Sequence, residues 1–66
     1  MASPPNSLDH RILQLLADGC TTKQIATRLG ITVRDIENRA ARMRRRTGTH
    51  TRVHLVVDAI RHGWIA

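Results

Sequence analysis

The stretch TTKQIATRLGIT at residues 21–32 decides the fold that this sequence predicts. Thr21 with Gln24 after it is typical of a helix start, because the two side chains can satisfy each other's backbone amides. Gly30 ends that helix, since glycine readily takes the left-handed conformation that a sharp turn needs. Thr32 then caps a new helix, so the stretch predicts two helices joined by a very short turn.

The spacing within this pair of helices indicates a helix-turn-helix. Two helices joined so tightly cross at a steep angle, and a close crossing needs a small residue between them. Ala26 is that residue, followed by Gly30 at the turn and by Ile36 as the buried anchor of the second helix. An ordinary helical hairpin would share this spacing, because alanine and glycine are common residues.

Capping residues predict one further helix on each side of residues 21–32. The first helix begins at the Asn6 cap and ends before Gly19. The last helix spans roughly residues 51–62 and ends at Gly63, which lets the apolar residues after it fold back onto the core. The predicted fold class is therefore all-α, with four helices in one domain.

Apolar residues at helical spacing predict which side of each helix is buried. In the first helix they are Leu8, Ile12, Leu15 and Leu16, and in the second they are Ile25, Ala26 and Leu29. In the third helix, predicted from residue 33 to about residue 46, they are Val33, Ile36, Ala40, Met43 and Thr47. We expect these stripes to meet in a single core.

The chain is long enough for one compact domain and too short for a deep catalytic cleft. Residues 1–5 contain two adjacent prolines and no periodic apolar residue, so we predict a disordered leader there and the domain at residues 6–66. The starting Met and the full set of helices favour a free-standing chain over a fragment of a longer protein.

The composition indicates a polyanionic partner. Eleven Lys and Arg against five Asp and Glu give a net charge of +6, and ten of the eleven cations are Arg. The planar guanidinium suits phosphate and guanine edges, although a bias in genome base composition would also enrich Arg. The single aromatic residue, Trp64, argues against a stacking platform for single-stranded nucleic acid.

The outward face of the third helix concentrates the positive charge. Helical geometry places a mostly basic set of side chains opposite Ile36 and Met43. They are Arg34, Asn38, Ala41, Arg42 and Arg45. A solvated helix surface is the ordinary explanation of such a set, but four Arg crowd residues 42–46 and acidic residues are nearly absent after Glu37. Uncompensated charge of this density favours an anionic ligand.

At three segments the sequence resembles the LuxR-type (GerE-like) helix-turn-helix family. They are ILQLLADG at residues 12–19, TTKQIATRLGIT at residues 21–32, and DIEN at residues 35–38. The middle segment is the most specific, and the resemblance extends from Asn6 to Ile65. It implies four helices, with the third lying in the major groove of DNA.

The resemblance also implies roles for individual residues. Thr22, Lys23, Thr51 and Arg52, at the starts of the second and fourth helices, would hold phosphates. Asn38 and Ala41 would face base edges, and Arg34, Arg42 and Arg45 would contact phosphates or guanine.

Glu37 departs from the family, which typically has Lys or another residue compatible with DNA at this position. Three accounts are open: Glu37 pairs with Arg34, it accepts a hydrogen bond from cytosine N4, or this surface binds something other than DNA. We favour the pair with Arg34. Arg39, which replaces the usual His, stands four residues after Asp35 in a favourable order for an ion pair.

The last helix is too apolar for a helix with one buried side. Beyond the residues that can face the core, Val53, Val57 and Ile60 form a second stripe. In the LuxR-type family this helix pairs with its symmetry mate, so we expect a weak homodimer. The alternative is that these side chains are singly exposed on a monomer.

The sequence gives no support for catalysis, a metal or another cofactor. His50, His54 and His62 have weak metal-ligand spacing, without paired cysteines or a carboxylate cluster. Cys20 has no His and Asp partners at a recognisable spacing, and it cannot form an internal disulfide. With no apolar run long enough for a signal peptide or membrane span, we expect a cytoplasmic, nucleoid-associated protein without membrane contact.

The resulting prediction is a non-enzymatic transcriptional regulator that binds specific sequences in double-stranded DNA. The alternative is a protein-interaction module that uses the Arg-rich helix and the last helix to bind RNA polymerase, a sigma factor or another regulator. Glu37 and the surplus apolar face of the last helix motivate this alternative.

Overall fold

A computed structural model describes residues 5–66 as four helices, with no strand in that range. They are α1 (Ser7–Ala17), α2 (Thr22–Leu29), α3 (Val33–Thr47) and α4 (Arg52–Arg61). The all-α prediction is confirmed, and the helix limits lie within one or two residues of those predicted. Of the predicted leader, residues 1–4 lie outside the described residues.

Side-chain caps fix where the helices begin. Asn6 Oδ1 accepts a hydrogen bond from the Asp9 amide at 2.8 Å, and Thr32 Oγ1 accepts one from the Asp35 amide at 3.0 Å. At α2 the capping box is complete, because Thr21 Oγ1 and Gln24 Oε1 each accept a hydrogen bond from the other residue's backbone amide. Each cap satisfies amides that the first turn of a helix otherwise leaves unpaired.

The turn between α2 and α3 depends on Gly30. Its φ of +69° is in the left-handed region, and the amides of Gly30 and Ile31 both donate to the Ala26 carbonyl. Ala26 itself is buried where α2 packs against α3. The small residue at the contact allows α2 and α3 to pack closely, and the glycine permits the sharp turn that joins them.

One core joins the four helices, and α1 contacts each of the other three. Its largest fully buried side chains are Ile12, Leu13, Ile25, Ile36 and Leu55. The predicted stripe of α1 was partly wrong, because Leu13 is fully buried whereas Leu8 and Leu15 lie at the margin. Since α1 is covered by three helices, its buried arc is wider than a single stripe.

The segment after α4 folds back, as predicted. Gly63 has a φ of +73°, and the Trp64 amide donates to the Ala59 carbonyl at 3.0 Å. Ile65 is buried, while Trp64 is half-buried and stacks on the His62 ring with centroids 4.6 Å apart. No helix within residues 5–66 combines the length and the apolar character needed to cross a lipid bilayer.

Candidate nucleic-acid interface

The outer face of α3 carries the basic surface that the sequence predicts. Burial of Ile36, Ala40 and Met43 turns the opposite side of the helix toward solvent. On that side Arg34, Asn38, Arg42 and Arg45 are exposed, and Ala41 is half-buried. These residues extend from Arg34 to Arg45, so the basic surface spans about three turns of α3, which is the longest of the four helices.

An ion pair that the sequence analysis missed fixes α3 against α1. Arg39 Nη1 lies 3.2 Å from Asp9 Oδ1, and Arg39 Nε lies 3.1 Å from Asp35 Oδ1. The pairing of Arg39 with Asp35 is confirmed. The hydrogen bond with the buried Asp9 raises the pKa of Arg39 above its ordinary value, with Asp35 adding to the effect. Arg39 therefore holds α3 in place and does not belong to its exposed basic face.

A surface groove brings together residues from three helices. It is bounded by the start of α2, the side of α3 and the start of α4. Four of the predicted site residues line it, namely Thr22, Glu37, Thr51 and Arg52. Arg44 and His50 line it as well, so five of these six side chains are an arginine, an imidazole or a hydroxyl, and Glu37 is the acid among them.

Both helix starts at this groove have backbone amides available to a ligand. Thr51 Oγ1 accepts a hydrogen bond from the His54 amide at 3.1 Å. The Arg52 amide stands at the first position of α4, where the helix supplies no carbonyl acceptor. Thr22 occupies the corresponding first position of α2. Unpaired amides and the helix dipole favour an anion at such positions.

Lys23 lies to one side of the groove. It is exposed and lines a neighbouring depression with Thr21, Gln24, Thr27 and Arg28. The structure therefore brings Thr22, Thr51 and Arg52 together but separates Lys23 from them. The side chain of Lys23 is long and flexible, so its ammonium group can still reach an extended polyanion that crosses the groove.

Glu37 is exposed on the groove side of α3. Among residues 5–66, Arg39 forms ion pairs with Asp9 and with Asp35, and the His62 ring lies 3.3 Å from the Asp58 carboxylate, and none of these contacts includes Glu37. The expected pair with Arg34 is therefore not formed. The remaining accounts of Glu37 are a hydrogen bond to a base and a ligand other than DNA.

Arg44 and His50 are the groove residues that sequence reasoning missed. The sequence analysis gives Arg44 no role beyond its place among the four Arg of residues 42–46, and it considers His50 only as a weak metal ligand. Arg44 stands seven residues after Glu37, two helical turns along the same side of α3, and this spacing was a usable signal. His50 offered none, because its position depends on the path of the link between α3 and α4.

The outer face of α4 is apolar where that of α3 is charged. Val53 is 70% exposed, Val57 39% and Ile60 47%, and these three are the exposed large hydrophobic residues within residues 5–66. Leu55 and Ala59 face the core. The second apolar stripe predicted for this helix is thus present, and Ile60 belongs to it.

Groups suited to metal chemistry do not converge in the part of the chain that the structure describes. No three His, Cys, Asp or Glu side chains within residues 5–66 lie close enough together to hold a metal ion. His62 instead hydrogen-bonds through Nδ1 with the Asp58 carbonyl oxygen at 2.9 Å. Cys20 is a half-buried free thiol packed at the margin of the core.

Comparison with known proteins gives relatives in sequence and in structure. The chain is 36% identical over 55 residues to the response regulator Rre1 of Synechocystis sp. (strain ATCC 27184 / PCC 6803 / Kazusa), a match covering 83% of this chain. The same match covers 24% of that relative, so the chain spans about a quarter of its length. In fold the chain is similar to the transcription factor GerE, with a TM-score of 0.93 and 23% identity over 97% of this chain and 96% of the other.

A family profile described as bacterial regulatory proteins, luxR family, matches residues 9–59. The matched range contains α2, the Gly30 turn and α3, as well as most of α4. The domains of this family are DNA-binding regulators and not enzymes. This chain therefore belongs to the LuxR family of bacterial regulatory proteins, with the four-helix, DNA-binding helix-turn-helix fold of that family.

Proposed function

We propose that this protein binds specific sequences in duplex DNA by placing α3 in the major groove, and that it thereby regulates transcription. The observation that carries the proposal is the exposed Arg face of α3 beside a groove formed by two helix starts. A helix fits the width of the major groove, and the excess of cations over anions suits a polyanion.

Within this proposal the α3 side chains divide between reading bases and holding phosphates. Asn38 and Ala41 face base edges, where an amide can pair with adenine and a methyl group can contact thymine. Arg34, Arg42 and Arg45 contact phosphates or the N7 and O6 atoms of guanine. All five project from the side opposite the buried stripe, which supports a shared role.

The phosphate contacts of the proposal lie at the two helix starts. Thr22 and Lys23 at α2, and Thr51 and Arg52 at α4, combine backbone amides with hydroxyl and cationic groups. Contacts on both sides of α3 would fix its depth and direction in the groove. They carry little sequence information, so specificity belongs to α3.

We further propose that α4 pairs with α4 of a second copy through Val53, Val57 and Ile60. Their exposure on one face supports an apolar contact. A two-fold dimer would place two α3 helices on half-sites about one DNA turn apart, roughly 34 Å. The pairing is weak in this proposal, because three side chains cover only a small area.

A second candidate function is binding to a protein of the transcription machinery. Two observations favour it: Glu37 is unpaired on an otherwise basic surface, and α4 presents an apolar face. In this alternative the Arg side chains of α3 meet an acidic surface. Both candidates are non-catalytic, need no cofactor, and act where the bacterial chromosome lies, in the cytoplasm.

The test of the DNA proposal is a fluorescence anisotropy titration with random-sequence duplex at two salt concentrations. The parent is compared with an Arg42→Ala, Arg45→Ala double variant. Each lost phosphate contact should reduce the slope of log affinity against log salt by about 0.9. An Arg11→Ala, Arg28→Ala variant is the matched control, because it removes the same charge from exposed positions on α1 and α2.

The outcomes separate the two candidates. Salt-sensitive binding that falls with the α3 variant, and much less with the control, supports DNA on α3. Equal losses in both variants would show a nonspecific effect of net charge. Absence of binding at low salt contradicts the DNA proposal and favours the protein partner.

A further inference from the structure

A surface that is proposed to bind phosphates should be basic, and the carboxylate of Glu37 is an exception on it. It is exposed, and no ion pair among residues 5–66 neutralises it. It is also the single acidic side chain among the described residues that line the groove between the starts of α2 and α4. The other acid of α3, Asp35, is held by Arg39.

An unpaired carboxylate close to DNA is stabilised only where it can accept a hydrogen bond from a donor group of the DNA. On the major-groove edges the donors are the N4 amino group of cytosine and the N6 amino group of adenine. Guanine and thymine present acceptor oxygens, which repel a carboxylate. A Glu on a recognition helix therefore restricts the base that it faces.

Cytosine suits a carboxylate better than adenine does. The N6 donor of adenine is flanked by N7, an acceptor that faces the second carboxylate oxygen, whereas cytosine has a C–H group beside N4. An amide resolves the adenine case because it supplies both a donor and an acceptor, and this is why Asn and Gln pair with adenine.

The position of Glu37 on α3 fits contact with a base. It is the fifth residue of the helix, next to Asn38, in the N-terminal half that a recognition helix inserts most deeply. Arg44 and Arg52 line the same groove and can face the phosphates on either side. Their charges offset the repulsion between this carboxylate and the DNA backbone.

We propose that Glu37 is a specificity-determining residue that accepts a hydrogen bond from cytosine N4, so that each half-site requires a C·G pair at that position. The inference rests on the proposed function, because it needs α3 in the major groove. The inference adds the identity of one base in each half-site. In this account Glu37 selects certain DNA sequences and does not simply oppose DNA binding.

The test is selection from a random duplex library with the parent protein, Glu37→Gln and Glu37→Ala, followed by anisotropy on the selected sites. The parent should require cytosine at one position and lose about 5- to 150-fold in affinity when that pair is replaced. Glu37→Gln should shift the preference to adenine, and Glu37→Ala should accept every base there. Asp18→Asn is the matched control, since it removes one exposed negative charge outside the groove.

Each result bears on the inference. If the parent and both Glu37 variants select the same site, or if the variants bind all sequences more tightly by one common factor, Glu37 only repels phosphate and the inference is overturned while DNA binding stands. If the parent binds no duplex at low salt, the proposed function fails and the inference fails with it. Thermal melting of each variant confirms that the exposed substitutions leave the fold intact.

Discussion

α3 and α4 share one core but present opposite chemistry to solvent. On the inner side both helices are apolar, with Ile36 and Leu55 fully buried. On the outer side α3 exposes arginines, whereas α4 exposes Val53, Val57 and Ile60. The two inner faces have the same apolar character and account for the fold. The two outer faces differ in chemistry, and this difference gives the two helices different roles.

The difference between these outer faces indicates two classes of partner. Arginines on two copies of α3 would repel each other, so the outer face of α3 is suited to a separate, anionic partner molecule. An apolar face can meet its own copy, because hydrophobic contact needs no complementary charge. The contrast supports DNA on α3 and a second copy of the chain on α4.

The largest effect should come from comparing the two sides of α4. Leu55→Ala removes a fully buried side chain and should destabilise the domain by about 2–5 kcal/mol through lost burial and the cavity left behind. Val53→Ala alters a side chain that is 70% exposed and should change stability by less than about 0.5 kcal/mol. Urea denaturation monitored by circular dichroism measures both, and similar values for the two variants would contradict the assignment of inner and outer faces.

The next effect concerns the proposed α4 pairing. A Val57→Gln, Ile60→Gln variant makes the outer face polar without adding charge near the DNA contacts at the start of the helix. It should weaken binding to a duplex with two half-sites by about 5- to 150-fold, the usual range for coupling between sites. Anisotropy on both kinds of duplex is the measurement.

A duplex with one half-site is the control for this variant, and its affinity should not change. If binding to one and to two half-sites falls equally, the valine and isoleucine act on the fold or on DNA contacts and not through pairing. Light scattering that shows only monomers of the parent, free and on the two-site duplex, would also contradict the dimer.

Helix limits could be predicted closely because their signals are local. Asn6, Thr21 and Thr32 each cap a helix through an amide three residues away, and Gly30 ends α2 through its own backbone conformation. The exposed stripe of α4 was also predictable, since helical periodicity alone separates Val53 from Leu55. For such features the nearby sequence contains the physical cause.

The groove and the interactions of α3 could not be predicted in the same way. Asp9 and Arg39 are 30 residues apart, and their contact requires the packing of α3 on α1. The groove combines the starts of α2 and α4 with one side of α3. The residues that line it therefore depend on the relative orientation of three helices. Glu37 was expected to pair with Arg34 from spacing, but spacing permits an ion pair without requiring it.

A smaller effect should come from the ion pair that anchors α3. Asp9→Asn keeps the size of the side chain but removes the charge that Arg39 Nη1 contacts at 3.2 Å. We expect the melting temperature to fall by about 4–8 °C, because this carboxylate is largely buried and a charged hydrogen bond is lost. Asp18→Asn, at an exposed acid, is the control and should change it little. Equal shifts for the two variants would show that the pair does not anchor α3.

The last effect, of similar size, lies at the junction between α3 and α4, where the hydroxyl groups of Thr47 and Thr49 lie within hydrogen-bond distance of each other. Thr47 Oγ1 lies 2.9 Å from the Met43 carbonyl oxygen and 2.9 Å from Thr49 Oγ1. The single hydroxyl proton of Thr47 donates to the carbonyl, so Thr49 donates to Thr47. Thr47→Val therefore leaves the half-buried Thr49 hydroxyl without this acceptor and should cost about 1 kcal/mol.

The Thr47→Val, Thr49→Val double variant replaces both partners with apolar groups of the same shape. Its stability should return to within about 0.5 kcal/mol of the parent, because no polar group is then left unpaired. Urea denaturation of the parent, the two single variants and the double variant forms a complete cycle. Additive losses would mean that the two hydroxyls act independently, and that the junction of α3 and α4 is not held by a polar pair.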